Sequence, residues 1–235
     1  MKKILLLTLL TASLSAQSYQ TKKDSITSQS KKLRYEIKLV YPQIDRPSTN
    51  GQKGFNKFVE KMMEAQSDTF KVWMKDWEFP KDLDGNSYYE TGYGEIYKTD
   101  KAISILFYEY SYSLGAAHPN NNNFSVNYDL ENNKVITLGD LFTGNYVKAI
   151  SEICIKNLVA KRKENNPSFS EDDEWLQTGA GPKGNNFEVF NFTDKELTIT
   201  FPTYQVGAYV EGPSEVVIPL ESLKDYIRKD GVLGR

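Results

Sequence analysis

Residues 102–112 read AISILFYEYSY, with Leu106, Tyr108, Tyr110 and Tyr112 on one side of a two-residue period and Ile103, Ile105 and Phe107 on the other. Successive side chains of a strand point to opposite faces, so this strand is apolar on both. Such a strand belongs in the middle of a sheet, covered on each side. Tyrosine also suits a face turned to water or to a ligand, because its ring is apolar and its hydroxyl polar.

Working outward, Phe124, Val126, Tyr128 and Leu130 alternate with Ser125, Asn127 and Asp129, then Glu131 to Lys134 reads as a turn into Val135 to Leu138. Upstream, Tyr88, Tyr89, Tyr93 and Tyr97 are strand-like. Earlier still, Tyr35, Ile37, Leu39 and Tyr41 alternate with Glu36 and Lys38, a strand ended by Pro42 and Pro47. Between these strands, Phe55, Phe58, Val59, Met62, Met63, Phe70, Trp73 and Trp77 recur at three- and four-residue steps, the mark of a long amphipathic helix. Thr49 and Asn50 offer capping oxygens before it, and Pro80 with the turn Asp82 to Asn86 follows it.

Downstream, a second helix is predicted from Tyr146 to Lys163, buried through Ile150, Ile153, Cys154 and Leu158, with Lys161, Arg162 and Lys163 complementing the dipole at its end. Asn165 to Asn186 reads as a long irregular loop. Phe187 to Phe192 and Leu197 to Phe201 form another hairpin, followed by strands at Val206 to Val210 and Val216 to Ile218 and a short C-terminal helix at Leu220 to Arg228. Strands that neither repeat nor alternate strictly with helices predict an α+β fold with a largely antiparallel sheet and two main helices.

At the N-terminus, Lys2 and Lys3 precede the apolar run Ile4 to Leu10 and small polar residues through Ala16 and Gln17, a secretory signal peptide over residues 1–16. No other stretch approaches the length of a spanning helix, so no membrane span is expected after cleavage. Residues 17–32, rich in Ser, Thr, Gln and Lys, are expected to form a flexible leader. The formal charge of −2 lacks the basic excess that nucleic acid binding requires. Cys154 is the sole cysteine, so no internal disulfide forms and the thiol is expected to pack as a small hydrophobe.

Few motifs carry chemistry. Gly179 to Gly184 matches the GxGxxG string, but no strand leads into it, Pro182 removes an amide and a hairpin follows, so it reads as a loop. His118 is the only histidine, where common hydrolytic zinc sites use two or three. Asp82, Asp84 and Asn86, and the run Glu171 to Glu174, offer oxygen ligands without full calcium-loop spacing. No metal or cofactor is expected. Trp175 and the tyrosines at 88, 89, 93, 108, 110, 112, 204 and 209 suit stacking on sugar rings or anchoring a protein, with core packing the default for most. Tyr204 and Tyr209 flank Gly207 and precede Glu211-Gly212-Pro213, a context that favours exposure.

Three segments taken in order, Tyr110 to Pro119 (YSYSLGAAHP), Asn127 to Phe142, and Phe201 to Gly212 (FPTYQVGAYVEG) before Val217-Ile218-Pro219, resemble the DUF3298 family, which includes the RsiV-like extracellular domain. The resemblance covers residues 88–235, and residues 33–87 resemble the DUF4163 segment that often precedes it. Together they are expected to form one compact unit. Where the family commonly has two glycines before the histidine, Gly115 is followed here by Ala116 and Ala117. The resemblance implies an exported, periplasmic or secreted envelope module that recognises peptidoglycan glycan or a lysozyme-like wall-active protein. The candidate binding residues are Tyr112, at the end of the strand 102–112, and Gly115, His118, Pro119, Tyr204, Gly207, Tyr209, Glu211 and Gly212, on the loops Leu114 to Asn123 and Thr203 to Pro213. The rival is a wall-acting hydrolase pairing His118 with a carboxylate such as Asp129 or Glu211.

Overall fold

The computed structural model describes residues 19–80 and 82–234; the signal-peptide segment lies outside them. The elements β1 (Thr21–Ser30), β2 (Tyr35–Ile44), α1 (Asn50–Asp76), β3 (Ser87–Lys98), β4 (Ala102–Tyr112), β5 (Asn120–Asp129) and β6 (Lys134–Val135) build a six-stranded sheet whose strand order is the chain order. Neighbours are antiparallel except β2 and β3, which run parallel and therefore need a crossover, supplied by α1. The fold is thus α+β with a curled, mostly antiparallel sheet.

α1 covers one face. Its Phe55, Val59, Met63, Phe70 and Met74 are buried against Ile37 and Leu39 of β2, Ile103, Ile105 and Phe107 of β4, and Val126 and Tyr128 of β5. Each such side chain is worth about 1.5–3 kcal/mol when removed from water. Thr49 starts the helix as expected: its Oγ1 accepts from Gln52 N at 3.2 Å, while Gln52 Oε1 accepts from Thr49 N at 3.4 Å. A Cβ on Gly51 would lie 1.7 Å from Leu130 O, so the first turn can press against the β5–β6 turn only because that residue is glycine.

The opposite face is covered over one half only. Chain after β6 forms α2 (Leu138–Leu141), α3 (Tyr146–Lys163) and α4 (Glu174–Ala180), then a three-stranded antiparallel sheet of β7 (Phe190–Phe192), β8 (Glu196–Phe201) and β9 (Ser214–Pro219). A second core joins α3 to this small sheet through Ile150, Cys154, Leu158, Leu197, Ile199 and Ile218, and reaches the large sheet at Ala102. The sheets meet along a buried polar seam. Ser104 Oγ, on β4, donates to Asn127 Oδ1 at 2.6 Å and accepts from Phe192 N at 3.2 Å and Asn191 Nδ2 at 3.0 Å. Asn127 Nδ2 donates to Phe190 O at 2.8 Å, and Ser125 Oγ accepts from Phe190 N at 3.2 Å. β7 is an edge strand, and these side chains satisfy the edge that β8 does not.

Several local expectations change. Most of the supposed leader is β1, paired with β2 over ten residues from Thr21 opposite Ile44 to Ser30 opposite Tyr35. An edge strand needs little apolar surface, and Lys22 and Lys23 are the polar residues that keep such an edge from pairing further. Pro42 lies within β2 rather than ending it, beyond Leu39, the last residue in register with β3, where a missing N–H is tolerated. The loop at 165–186 contains α4, capped by Asp173 Oδ1 accepting from Leu176 N at 2.8 Å. Val206 to Val210 is loop with a 3-10 turn at Tyr209–Glu211, and the C-terminal helix is a 3-10 turn, Leu220–Tyr226. The segment after the turn at 131–134 contributes only two residues to the sheet before α2, whose capping box joins Thr137 and Asp140.

Two outcomes are expected. Asn127→Ala leaves the Phe190 carbonyl buried without its donor and should lower unfolding free energy in urea by about 1–3 kcal/mol; a wild-type midpoint would remove the seam from the account of stability. The Asp140 carboxyl is pushed up by desolvation, but hydrogen bonds from Lys134 and from the Thr137 N–H and hydroxyl outweigh this and hold it at about 2, below its ordinary 3.8. A depressed folded pKa gives stability above the unfolded value that is lost as pH falls through the folded one. Asp140→Asn should therefore be less stable than wild type at neutral pH, with the gap closing as pH falls from about 4 towards 2, measured by denaturation across that range.

Candidate functional site

The loop between β8 and β9 leaves the small sheet at Phe201 and crosses to the start of β5. Tyr204 takes φ = 73°, a left-handed conformation rarely adopted by an aromatic residue, and the residue is 49% exposed. The loop is pinned at both flanks. Gln205 Nε2 donates to Gly179 O at 2.9 Å and Asn186 O at 2.8 Å, and Trp175 Nε1 donates to Tyr204 O at 2.7 Å. Arg162, near the end of α3, donates from Nη2 to Val206 O at 2.5 Å and pairs with Glu211 Oε2 at 3.0 Å, while its guanidinium lies 5.0 Å from the Phe169 ring centre. Glu211 Oε1 accepts from Ala208 N at 3.0 Å. A Cβ on Gly207 would meet Arg162 Nη2 at 2.5 Å and Glu211 Oε1 at 2.6 Å, so a larger residue there would push on the ion pair that holds the loop.

Pinned in this way, the loop lays Tyr209 on the segment before β5. Its ring centre is 4.3 Å from that of His118 and 5.5 Å from that of Tyr204. Its hydroxyl donates to Pro119 O at 2.8 Å and accepts from Asn121 Nδ2 at 3.3 Å. His118 Nδ1 lies 2.9 Å from Pro119 O, an oxygen that can only accept, which places the ring proton on Nδ1. Behind the loop, Arg162, Phe169, Trp175, Gly207 and Glu211 border a cleft of about 560 Å³.

A second aromatic group lies on the uncovered half of the large sheet. Tyr88 of β3 stacks on Tyr110 at 5.4 Å and on Tyr112 at 5.3 Å, both of β4, and the hydroxyls of Tyr88 and Tyr110 are 3.3 Å apart. Chiefly through that hydrogen bond, the Tyr88 phenol is pushed up to about 12 and stays neutral. Tyr110 faces Asn121 across the β4–β5 pair, and Asn121 is the residue that reaches Tyr209.

Of the residues singled out in the sequence, His118, Pro119, Tyr204 and Tyr209 come together, and Gly207 and Glu211 hold the loop that carries two of them. Tyr112 belongs to the sheet stack. Gly115, at φ = 96°, packs on Pro80, where a Cβ would meet Cγ at 2.6 Å, and Gly212, at φ = 65°, shapes the turn before β9. Asp129 closes β5 at the end opposite His118, roughly 30 Å away at the rise of a strand, and binds the Glu131 and Asn132 amides at 2.9 Å. Gly179 and Ala180 end α4, so the glycine string follows a helix. Arg34 binds the carbonyls of Leu83 and Gly85 in the Asp82 to Asn86 turn. Among the described residues no three His, Cys, Asp or Glu side chains converge to hold a metal ion. Sequence reasoning missed Arg162 and Asn121. Arg162 reads as one of several helix-end cations, and its pairing with Glu211 across the fold leaves no local trace.

Residues 139–221 match the family described as "Protein of unknown function (DUF3298)", and residues 28–121 match "Deacetylase PdaC". The C-terminal part of the chain thus resembles a DUF3298 domain. That domain supplies α3, α4, the small sheet and the Tyr204–Tyr209 loop; the PdaC-type segment supplies the tyrosine stack, His118 and Asn121, so the aromatic surface is assembled by both. Over 139 residues the chain is 28% identical to the peptidoglycan-N-acetylmuramic acid deacetylase PdaC of Bacillus subtilis; the match takes in 58% of this chain but spans only 28% of that protein's length. A crystal structure of a DUF3298 family member from Bacteroides fragilis superposes with a TM-score of 0.62 at 18% identity, covering 92% of this chain and 97% of that one. A DUF3298 family protein from Pseudomonas aeruginosa superposes at 0.57 and 14% identity, covering 91% and 96%. The fold is therefore that of these DUF3298 proteins.

Gly207→Ala and Arg162→Ala should each free the loop. Amide hydrogen exchange read by mass spectrometry should quicken across residues 203–212 in both variants and stay at the wild-type rate in β4; unchanged protection of the loop would remove Arg162 as its anchor.

Proposed function

We propose that this chain is an exported cell-envelope module that binds wall glycan through the cluster of the exposed His118 and Tyr204 with the half-buried Tyr209. The observation that carries this reading is the cluster itself: rings 4.3 and 5.5 Å apart, held in place before any ligand arrives by Arg162, Trp175 and the Pro119 carbonyl. Rigid, amphipathic tyrosines lose little conformational entropy on binding and offer an apolar ring beside a polar hydroxyl, which is what a sugar presents in return. The likeness to a protein named for peptidoglycan deacetylation supports a wall context. The signal-peptide pattern at the N-terminus supports export, and no described helix is long and apolar enough to cross a membrane.

The RsiV-like resemblance adds a lysozyme-like protein as an alternative partner. The PdaC match adds a second reading, a wall-acting hydrolase using His118. For that chemistry the basic ring nitrogen is Nε2, since Nδ1 faces Pro119 O; of the two carboxylates first considered, Asp129 is remote and Glu211 is engaged by Arg162 and Ala208. Hydrolysis or deacetylation of muropeptides that disappears in His118→Ala would establish the hydrolase.

For the binding reading, Tyr209→Ala should weaken retention on insoluble peptidoglycan roughly tenfold, the loss expected of one central aromatic anchor, with the circular dichroism spectrum unchanged. Lysozyme pull-down in parallel distinguishes the protein partner. Undiminished retention by Tyr209→Ala, or none by wild type, ends the glycan reading.

A further inference from the structure

The tyrosines of the large sheet stand on the face that, one half-strand away, is buried beneath β7. Within β4, Ala102 and Ser104 are 0% and 2% exposed, while Tyr108 and Tyr110 on the same face are 48% and 36% exposed. The usual solvent face of a sheet carries polar side chains. Here it carries rings, locked by the stacking of Tyr88 on Tyr110 and Tyr112 and by a hydrogen bond between the Tyr88 and Tyr110 hydroxyls.

Continuity joins this stack to the loop cluster. Asn121 is the cross-strand neighbour of Tyr110 and donates to the Tyr209 hydroxyl. From Asn121 on β5 through Tyr110 and Tyr88 to Glu36 on β2, the surface crosses three strand spacings, roughly 14 Å, more than a single pyranose covers. The side chains in register with the stack are Glu36 beside Tyr88, and Glu90 beside Tyr110 with Lys38 as its own neighbour. Two carboxylates against one ammonium make this floor unfavourable to a polyanion and leave hydrogen-bonding oxygens for hydroxyl and acetamido groups.

We propose that the Tyr88–Tyr110–Tyr112 stack extends the loop cluster into one track, so that the ligand is an extended, uncharged N-acetylhexosamine polysaccharide lying across the strands rather than a short fragment or an anionic wall polymer. The inference rests on the wall-glycan reading above and specifies its length and charge. The surface belongs to two sequence segments at once, so the track exists only when the PdaC-type and DUF3298 parts are packed together.

The test is calorimetric titration of the whole mature chain with N-acetylglucosamine disaccharide and hexasaccharide, and with polyglycerol phosphate. The expected result is a hexasaccharide affinity at least roughly tenfold above that of the disaccharide, with no binding of polyglycerol phosphate. Tyr110→Ala should bring the hexasaccharide down to the disaccharide value and leave disaccharide binding unchanged, while Tyr110→Phe, which keeps the ring, should retain most of the length dependence. Equal affinities for both lengths, or a Tyr110→Ala chain that binds the hexasaccharide like wild type, would overturn the track while leaving the loop site standing. Polyanion binding as tight as that of the hexasaccharide would overturn it on charge. Absence of binding to either oligosaccharide would overturn this inference, and the wall-glycan reading falls with it only if wild type is also not retained on insoluble peptidoglycan.

Discussion

Phe190 and Phe192 lie on the free edge of the small sheet, and their backbone groups are satisfied by three side chains of the large one. Ser104, Ser125 and Asn127 act as a substitute strand for β7, accepting from its N–H groups and donating to its carbonyl. Buried backbone polar groups must find partners, so this seam fixes where the second layer sits and in what register. Apolar contacts such as Tyr97 on Phe192 fill in around it, with ring centres 6.0 Å apart, but they do not select one placement over a neighbouring one.

Because β7 begins only at Phe190, over Ser125 and its partner Leu106, and is three residues long, the seam covers half of the sheet face and no more. The other half is left to Tyr88, Tyr108, Tyr110 and Tyr112. Placement of the small sheet also decides where its β8–β9 loop lands. Arg162 ties that loop to α3, Trp175 ties it to α4, and Tyr209 closes it on Pro119 and Asn121. The candidate surface is thus a consequence of packing two layers, which is why neither segment contains it alone.

Much of the framework was legible from residue order. The steps from Phe55 to Phe70 marked α1, Thr49 marked its start, and the double-sided run at 102–112 marked a strand inside the sheet, because periodicity and capping are local properties. β1 was not legible: Ile26 is its one large aliphatic side chain, and pairing of an edge strand depends on the neighbour's backbone more than on its own composition. The stretch at 206–210 has strand-like valines, yet Val206 is buried as a loop residue because Arg162 takes its carbonyl. The serines and asparagine of the seam look, in sequence, like the solvent-facing half of an amphipathic strand.

For the candidate surface, the sequence alone determined the ingredients: many tyrosines, a single histidine, glycines at the turns, and motifs shared with DUF3298 proteins. It also set the formal charge at −2, without an overall basic excess. The tertiary structure decided which aromatic rings face solvent, that His118 and Tyr209 touch although ninety-one residues apart, and that Asp129 and His118 lie at opposite ends of one strand. The physical reason is that local pattern specifies only which faces of an element are apolar. Which of those faces is then covered depends on hydrogen-bonded contacts between elements distant in the chain, and these leave no periodic signal.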